Sequence, residues 1–183
     1  MLILFSLFMK KLNFFSYLSV FAFAILGCTH SVKNVNLQTV NNLDIDKYLG
    51  TWHEIARFDH SFEKGCDNVT ATYTKNADGS IGVLNKCLLA DGKEKVAKGK
   101  AYFRDLKMQN KGELKVTFFW PFFGHYNILE LDEKYQYALV SGSDDGYLWI
   151  LSRSKQMDKA VLESLLAKAS ARGFDVSKFI YPK

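Results

Sequence analysis

The three cysteines have the most varied chemistry in this sequence, because a thiol can attack a substrate, bind a metal, form a disulfide or carry a lipid. Cys28, Cys66 and Cys87 lie far apart and do not form the Cys-x-x-Cys pattern of zinc and redox sites. Metal-ligand spacing is also missing among the four histidines, which are His30, His53, His60 and His125. The sequence contains no glycine-rich phosphate loop and no nucleophile-elbow motif. We therefore expect a protein without a metal site, a cofactor or an enzymatic activity.

The segment before Cys28 has the pattern of an export signal. Lys10 and Lys11 are followed by sixteen uncharged, mostly apolar residues, which are too few for a membrane-spanning helix and suit the apolar core of a secretory signal. Met9 precedes the lysines as in a normal signal, whereas residues 1–8 are almost entirely apolar. We therefore predict that translation begins at Met9 and that cleavage removes the residues up to 27.

The residues Ile25-Leu-Gly-Cys28 resemble a bacterial lipobox. The resemblance implies that Cys28 receives a diacylglyceryl group and, after cleavage, a third acyl chain such as palmitate on its amine; two or three chains anchor a protein stably. Thr29 is not the aspartate that resembles an inner-membrane retention signal, so we expect the periplasmic side of the outer membrane of a Gram-negative bacterium. Because Leu26 stands where a small or hydroxyl residue is commoner, ordinary cleavage with an unmodified Cys28 is the alternative.

These features divide the chain into three parts. We predict a lipoprotein signal peptide over residues 1–27, a lipidated tether over residues 28–42 and one folded domain over residues 43–183. The full chain has a formal charge of +5, and loss of Lys10 and Lys11 with the signal leaves +3. Because the remaining basic residues are scattered among acidic ones, we expect no nucleic-acid partner.

Cys66 and Cys87 form a candidate disulfide pair, because an exported protein folds in an oxidising compartment. Two alternating runs, residues 68–76 and 80–87, lie between them and are separated by Ala77-Asp78-Gly79, which indicates a β-hairpin. Folding the chain about that turn brings residues 66 and 87 to within about one ladder step. A disulfide there would stabilise the fold by roughly 3 kcal/mol; two free buried thiols are the alternative.

Eight β-like runs follow one another between Gly50 and Arg153, with turn residues between them and no helix. Short connections favour an antiparallel meander, and an eight-stranded meander that closes on itself has no exposed edge. We therefore predict an all-β, eight-stranded up-and-down barrel, with a two-sheet sandwich as the alternative. The runs are approximately residues 50–59, 67–75, 80–88, 97–105, 113–120, 125–131, 136–142 and 147–153.

A helix is predicted after the last run. Asp158 can cap it and Gly173 can end it. Its apolar residues share one face, so we expect it to pack against the outside of the barrel, followed by a further short strand. The apolar residues of this face are Val161, Leu162, Leu165, Leu166 and Ala169.

The first run begins with Gly50-Thr51-Trp52, which resembles the Gly-x-Trp signature of the lipocalins and is preceded by a segment that suits their short 3₁₀ turn. In that family an arginine of the last barrel strand packs across the tryptophan, and Arg153 occupies the matching position. The chain is similar over residues 43–181 to the bacterial lipocalin lipoproteins related to apolipoprotein D. The matching segments are YLGTWHEIARFDHSFEKG, VTATYT, GKAYF, YALVSG, YLWILSR and GFDVSKFI.

This resemblance implies that Trp52 and Arg153 form a cation–π contact at the closed end of the barrel, worth about 1–2 kcal/mol when desolvated. It also implies a cavity, or calyx, that accepts fatty acids or lysophospholipids at the outer membrane. The alternatives are a barrel that binds haem, a siderophore or another small hydrophobic compound, an interaction protein with a filled barrel, or an enzyme that modifies lipids.

Alternation along the strands predicts which residues point into the barrel, because an eight-stranded barrel has room for one small ligand. Small residues such as Ala71, Gly99 and Ala101 leave volume for a cavity, although the same side chains could simply be core. Ile81, Gly99 and Leu151 share the inward phase. The predicted ligand-binding residues are Val69, Ala71, Tyr73, Val83, Ala101, Phe103, Val116, Phe118, Trp120, Tyr126, Ile128, Tyr147 and Trp149.

Two features of the sixth run have open roles. Glu130 shares the phase of Tyr126, so it either points inward and pairs with a cation such as Arg153 or faces solvent. The segment from Phe119 to Tyr126 is unusually aromatic for a turn. It is a lip that touches ligand or bilayer, a contact between the subunits of a homodimer, or packing at the barrel end.

Overall fold

The structure, a computed structural model, describes residues 34–182. Two short 3₁₀ turns, Ser61–Glu63 and Val176–Lys178, connect its helices and strands. In chain order these are α1 (Ile45–Tyr48), β1 (Gly50–Phe58), β2 (Asp67–Lys75), β3 (Ile81–Leu88), β4 (Glu94–Phe103), β5 (Glu113–Phe119), β6 (Phe122–Leu131), β7 (Tyr137–Ser141), β8 (Leu148–Ser152), α2 (Lys159–Ala171) and β9 (Phe179–Ile180).

The strands form a closed antiparallel barrel. Each strand from β2 to β7 pairs with the strand that follows it, and β1 pairs with both β2 and β8. This closure confirms the predicted eight-stranded up-and-down barrel and excludes the two-sheet sandwich. The short β9 pairs with the end of β1, as the further short strand that the sequence predicts.

The first hairpin brings the two cysteines together as predicted. Its turn contains Gly79, whose φ of +78° lies in the left-handed region that glycine adopts without steric cost. Pairing of β2 with β3 sets Asp67 opposite Leu88, so the neighbouring Cys66 and Cys87 lie 5.3 Å apart at their Cα atoms and form a disulfide. The alternative of two free thiols is therefore wrong.

Helix α2 packs on the outside of the barrel, as its apolar face predicts. The side chain of Asp158 caps it by accepting a hydrogen bond of 2.8 Å from the Ala160 N–H, and Gly173 follows its end with a φ of +94°. Leu165 and Ala169 are fully buried. They form a second apolar core with outward-facing residues of β1, β6, β7 and β8.

Arg153 and Trp52 close one end of the barrel. The guanidinium carbon of Arg153 lies 3.9 Å from the centre of the Trp52 ring, which is completely buried and donates a hydrogen bond of 2.9 Å to the Tyr48 carbonyl. This geometry confirms the predicted cation–π contact. The guanidinium also donates hydrogen bonds to five backbone carbonyls, those of Lys47, Tyr48, Leu49, Thr51 and Tyr135.

The glycine of the Gly-x-Trp signature is required by this closure. Gly50 has a φ of +95°, and a Cβ at this position would lie 3.3 Å from Nη1 of Arg153. Any other residue would strain the backbone and press on the guanidinium. The signature therefore encodes the close approach of β1 to Arg153.

Three local predictions differ from the structure. The turn before Gly50 is one turn of α-helix, α1, and not a 3₁₀ turn; Asp44 caps it by accepting from the Asp46 N–H. Strand β4 begins at Glu94, three residues before the predicted start at residue 97, because a tight turn at Gly92 lets Glu94 pair with Leu88 of β3. Strand β6 begins at Phe122, which pairs with Phe119, so the aromatic segment is the tip of a hairpin rather than a loop.

Glu130 does not pair with Arg153, so that alternative is wrong. A shift in register between Ile128 and Glu130 interrupts the alternation of β6 and turns the carboxylate outward. Its two oxygens accept hydrogen bonds of 2.7 Å from Arg172 and 2.9 Å from Lys168. Glu130 thus links the barrel wall to the end of α2.

Loss of the disulfide between Cys66 and Cys87 should destabilise the barrel. We expect the combined change of Cys66→Ala and Cys87→Ala to lower the free energy of unfolding by about 3 kcal/mol, because the bond closes a loop between residues 21 positions apart. Urea unfolding followed by tryptophan fluorescence measures the loss. A reducing agent should lower the free energy of unfolding of the unaltered protein by a similar amount and should leave that of the double variant unchanged. Equal stability of the unaltered protein, the reduced protein and the double variant would contradict the prediction.

Replacement of Arg153 should open the closed end. We expect Arg153→Lys to lower the free energy of unfolding by about 3 kcal/mol, since lysine keeps the charge but lacks the planar group that stacks and donates several hydrogen bonds. Arg104→Lys is the matched control, because Arg104 pairs with Glu113 at the surface, and it should cost less than about 1 kcal/mol. Equal losses in the two variants would show that stacking on Trp52 adds nothing.

Candidate functional site

The barrel is open at the end opposite Arg153. A deep cavity of about 120 Å³ continues into a wider mouth of about 650 Å³, and the two share lining residues such as Val69, Val116 and Trp149. We call the cavity and the mouth together the calyx. The volume of the mouth is typical of small-molecule sites.

Most predicted ligand-binding residues line the calyx. Tyr147 lies at the mouth, and Ile81 and Leu151 join the lining of the deep cavity, as their phase predicts. The other predicted residues that line the deep cavity are Val69, Ala71, Tyr73, Val83, Ala101, Val116, Phe118, Tyr126 and Trp149.

Three predicted residues do not line it. Phe103 and Ile128 point into the barrel, but they are packed in the core near its closed end, where side chains fill the interior. The inward orientation predicted for Trp120 is wrong. Strand β5 ends at Phe119 after a shift in register that starts at Val116, so Trp120 lies at the hairpin tip with 77% of its surface exposed.

Three tyrosines form the floor of the calyx. The hydroxyl of Tyr126 lies 2.7 Å from that of Tyr48 and 2.8 Å from that of Tyr73, and all three side chains line the deep cavity. Burial raises the pKa of Tyr73 to about 12 and the pKa values of Tyr48 and Tyr126 well above their usual range. The floor is therefore a neutral, hydrogen-bonded aromatic surface at physiological pH.

A buried group of charged residues lies in the wall of the calyx towards the mouth. A shift in register between Glu54 and Ala56 reverses the alternation of β1, so Trp52 and Glu54 face inward while Ala56 packs towards α2. The same bulge buries the guanidinium of Arg57 on the inner side, where Nη1 lies 2.6 Å from Oε1 of Glu54. Both side chains are at most 3% exposed.

Glu63 completes this charged group from the 3₁₀ turn after β1. Its Oε2 accepts a hydrogen bond of 3.2 Å from Nε1 of Trp149 and lies 3.8 Å from Nε of Arg57 and 3.2 Å from Nε2 of His60. Arg57 donates a further hydrogen bond of 2.9 Å to the Glu63 carbonyl. The turn is thereby fixed to the barrel wall.

Burial controls the protonation of this group. It raises the pKa of Glu54 to about 8, and the nearby Glu63 carboxylate adds to the rise while Arg57 opposes it. Burial also raises the pKa of Glu63, against the hydrogen bond from Trp149 and the charge of Arg57. The pKa of His60 falls to about 4 because of burial and the positive charge of Arg57, so His60 is neutral at pH 7.

Sequence reasoning missed several lining residues. Tyr48 reaches the floor from α1, and Phe62 and Glu63 reach the mouth from a 3₁₀ turn, so strand alternation carries no signal for them. Glu54 follows the inward phase of Trp52, and that phase predicts its position. Val140 of β7 also lines the cavity, and the same rule would have found it.

The part of the chain that the structure describes offers no group of three or more His, Cys, Asp or Glu side chains that could hold a metal ion. Residues 34–182 also contain no helix long and apolar enough to cross a membrane. The site is therefore described by its cavity and by the charged group in its wall.

Comparison with known proteins agrees with this architecture. Residues 43–183 match the model of the lipocalin-like domain family. The chain belongs to the lipocalins. Outer membrane lipoprotein Blc of Escherichia coli (strain K12) is 47% identical over 161 residues, which are 87% of this chain and 90% of that relative.

More distant lipocalins match as well. Apolipoprotein D of Mus musculus is 34% identical over 146 residues, 75% of each chain. The solved structure of insecticyanin from the tobacco hornworm Manduca sexta has a TM-score of 0.67 at 25% identity, covering 81% of this chain and 84% of that one. These matches confirm the resemblance to bacterial lipocalins related to apolipoprotein D.

Membership in the family assigns a coarse role to the calyx. Lipocalin barrels hold small hydrophobic ligands, and proteins of this family generally bind or transport rather than catalyse. The names of the bacterial relatives confirm the predicted outer-membrane localisation. The signal peptide, Cys28 and residues 29–33 of the tether lie outside the described residues, so the lipid anchor stays a prediction, as does the homodimer.

The raised pKa of Glu54 predicts that the pH affects stability. The folded lipocalin holds this proton up to about pH 8, whereas an unfolded chain releases it near pH 4.5, so stability falls as the pH rises between these values. Glu54→Gln removes the titration and keeps the shape. We expect its melting temperature, relative to the unaltered protein, to rise by about 3 °C from pH 5 to pH 8.

Thermal unfolding across this pH range tests the prediction. Glu94→Gln is the matched control, because Glu94 is exposed and pairs with Lys86 on the surface. The difference in melting temperature between this variant and the unaltered protein should stay constant across the pH range. If the melting temperature of Glu54→Gln relative to the unaltered protein stays constant or falls as the pH rises, Glu54 is not held protonated.

Proposed function

We propose that this lipocalin binds fatty acids or lysophospholipids in its calyx and stores or transports them on the periplasmic side of the outer membrane, anchored by lipid on Cys28. The observation that carries the proposal is a deep cavity lined mainly by apolar side chains and open at one end. A long alkyl chain has the shape and polarity that such a cavity accepts. The proposed role is reversible binding without turnover.

The apolar lining accounts for the free energy of binding. Residues such as Ala71, Val83, Ala101 and Val116 can cover an alkyl chain, and each methylene group removed from water contributes about 0.8 kcal/mol. Affinity should therefore rise with chain length until the chain reaches the tyrosine floor. The three phenols there would stop the methyl end of the ligand.

The charge distribution favours a ligand whose polar end stays at the mouth. Lys86, Lys95 and Glu63 line the mouth, whereas the floor presents neutral phenols. Burial of a head group at the floor would remove it from water with few partners. A fatty acid or lysophospholipid that enters with its alkyl end first avoids this cost.

Haem and siderophores fit the calyx less well. Haem needs an axial ligand inside the cavity, and the imidazole at the lining is that of His125, whose Nδ1 lies 3.3 Å from Nη1 of Arg104 at an exposed position. A siderophore is commonly anionic and needs clustered cations, whereas the deep cavity contains the carboxyl groups of Glu54 and Glu63. A visible absorption band in the purified lipocalin would favour these ligands over lipids.

Filling the cavity should abolish binding. Ala101 is 4% exposed and lines the deep cavity, so we expect Ala101→Trp to reduce the affinity for a fluorescent fatty acid at least about tenfold, because the indole occupies the volume of the alkyl chain. Fluorescence titration should give one fatty acid per unaltered protein. Ala167→Trp, on the exposed side of α2, is the matched control and should bind normally.

Circular dichroism and thermal unfolding establish whether Ala101→Trp is folded, and Ala71→Phe provides a second filled cavity. No stoichiometric binding by the unaltered protein, or equal binding by the folded Ala101→Trp and Ala167→Trp variants, would contradict the proposed function.

A further inference from the structure

Aromatic rings are concentrated at one side of the calyx mouth. Phe62, Tyr147 and Trp149 line it, with ring centres 6.1 Å apart in both the Phe62–Tyr147 and the Tyr147–Trp149 pairs. The ring of His60 stacks behind Phe62 at 3.9 Å. Aromatic faces are electron-rich, and groups of such rings bind quaternary ammonium ions.

A carboxylate lies directly beside these rings. Glu63 lines both the mouth and the deep cavity, and its Oε2 is held by the hydrogen bond from Trp149. Glu63 and Glu54 together face one guanidinium, that of Arg57, while His60 is neutral. Burial keeps Glu54 protonated at neutral pH, so the carboxylate beside the rings is that of Glu63, and a carboxylate next to electron-rich rings attracts a positive charge.

A cation lies next to Phe62. The ammonium group of Lys95 donates a hydrogen bond of 2.7 Å to the Phe62 carbonyl, and Lys95 lines the mouth. Lys86 also lines the mouth, but it pairs with Glu94 at 3.2 Å. The mouth thus presents a carboxylate with aromatic rings and, next to them, an amine that can bind a phosphate.

We propose that the calyx mouth is a head-group site for lysophospholipids that carry an ammonium group. Glu63 and the rings of Phe62, Tyr147 and Trp149 hold the ammonium, and Lys95 holds the phosphate. This inference rests on the proposed function, since it assumes that the acyl chain occupies the deep cavity. It adds a preference among lipids: the site selects phosphoethanolamine and phosphocholine heads over phosphoglycerol heads, which have the phosphate but no ammonium.

The test compares ligands that share one acyl chain and differ only in the head. The assay measures displacement of a fluorescent fatty acid from the delipidated lipocalin. The competing ligands are lysophosphatidylethanolamine, lysophosphatidylcholine, lysophosphatidylglycerol and the free fatty acid. We expect the two ammonium lipids to act at about tenfold lower concentration than lysophosphatidylglycerol. The free fatty acid reports on the acyl chain alone.

Two variants assign the preference to the site. Glu63→Gln keeps the volume and removes the charge, so it should reduce the preference for ammonium heads to within about twofold. Glu94→Gln makes the same change in charge at an exposed position and should keep the preference. Phe62→Leu removes a ring that is half exposed, so the variant should fold and should lose about fivefold in affinity for lysophosphatidylcholine.

The outcomes separate the two proposals. Equal displacement by all three lysophospholipids, or a preference that survives in Phe62→Leu and in folded Glu63→Gln, overturns the head-group site and leaves the proposed function standing. Failure of every ligand, including the fatty acid, contradicts the proposed function itself. If thermal unfolding shows that Glu63→Gln does not fold, the result for Phe62→Leu decides.

Discussion

The stacking of Arg153 on Trp52 is the contact on which the rest of this lipocalin depends. A guanidinium next to a buried indole is costly to desolvate, and the cost is offset by five backbone carbonyls that accept its hydrogen bonds. Those carbonyls belong to α1, the start of β1 and the turn before β7, while Arg153 itself follows β8. One side chain thus joins the first and last barrel strands and closes one end, which leaves the opposite end to open as a calyx.

Shifts in register help to determine which side chains reach the calyx. The shift in β1 brings Arg57 inward to Glu54 and turns Phe58 towards α2, so one irregularity creates both the buried charged group and part of the surface on which the helix packs. The shift in β6 turns Glu130 outward, where Arg172 and Lys168 bind it. The chemistry of the wall therefore depends on where strand alternation fails.

Most of the fold follows from local sequence signals. Turn residues and alternation predict the eight strands, and hairpin geometry predicts the disulfide. The closed end is what the resemblance to lipocalins, carried by Gly-x-Trp and Arg153, implies. The candidate site was harder to predict for two physical reasons. Alternation places Trp120 inward because the sequence pattern does not reveal the register shift in β5. Alternation also makes no prediction for Phe62 and Glu63, because they reach the mouth from a 3₁₀ turn and not from a strand.

The central claim is that the closed barrel holds a lipid whose alkyl chain fills the apolar calyx. Native mass spectrometry of the lipocalin, extracted from membranes with a mild detergent and not delipidated, tests it most directly. The account predicts one bound small molecule per protein that yields an acyl chain on fragmentation. A folded protein that carries no small molecule after such extraction, or one that carries haem, would contradict it.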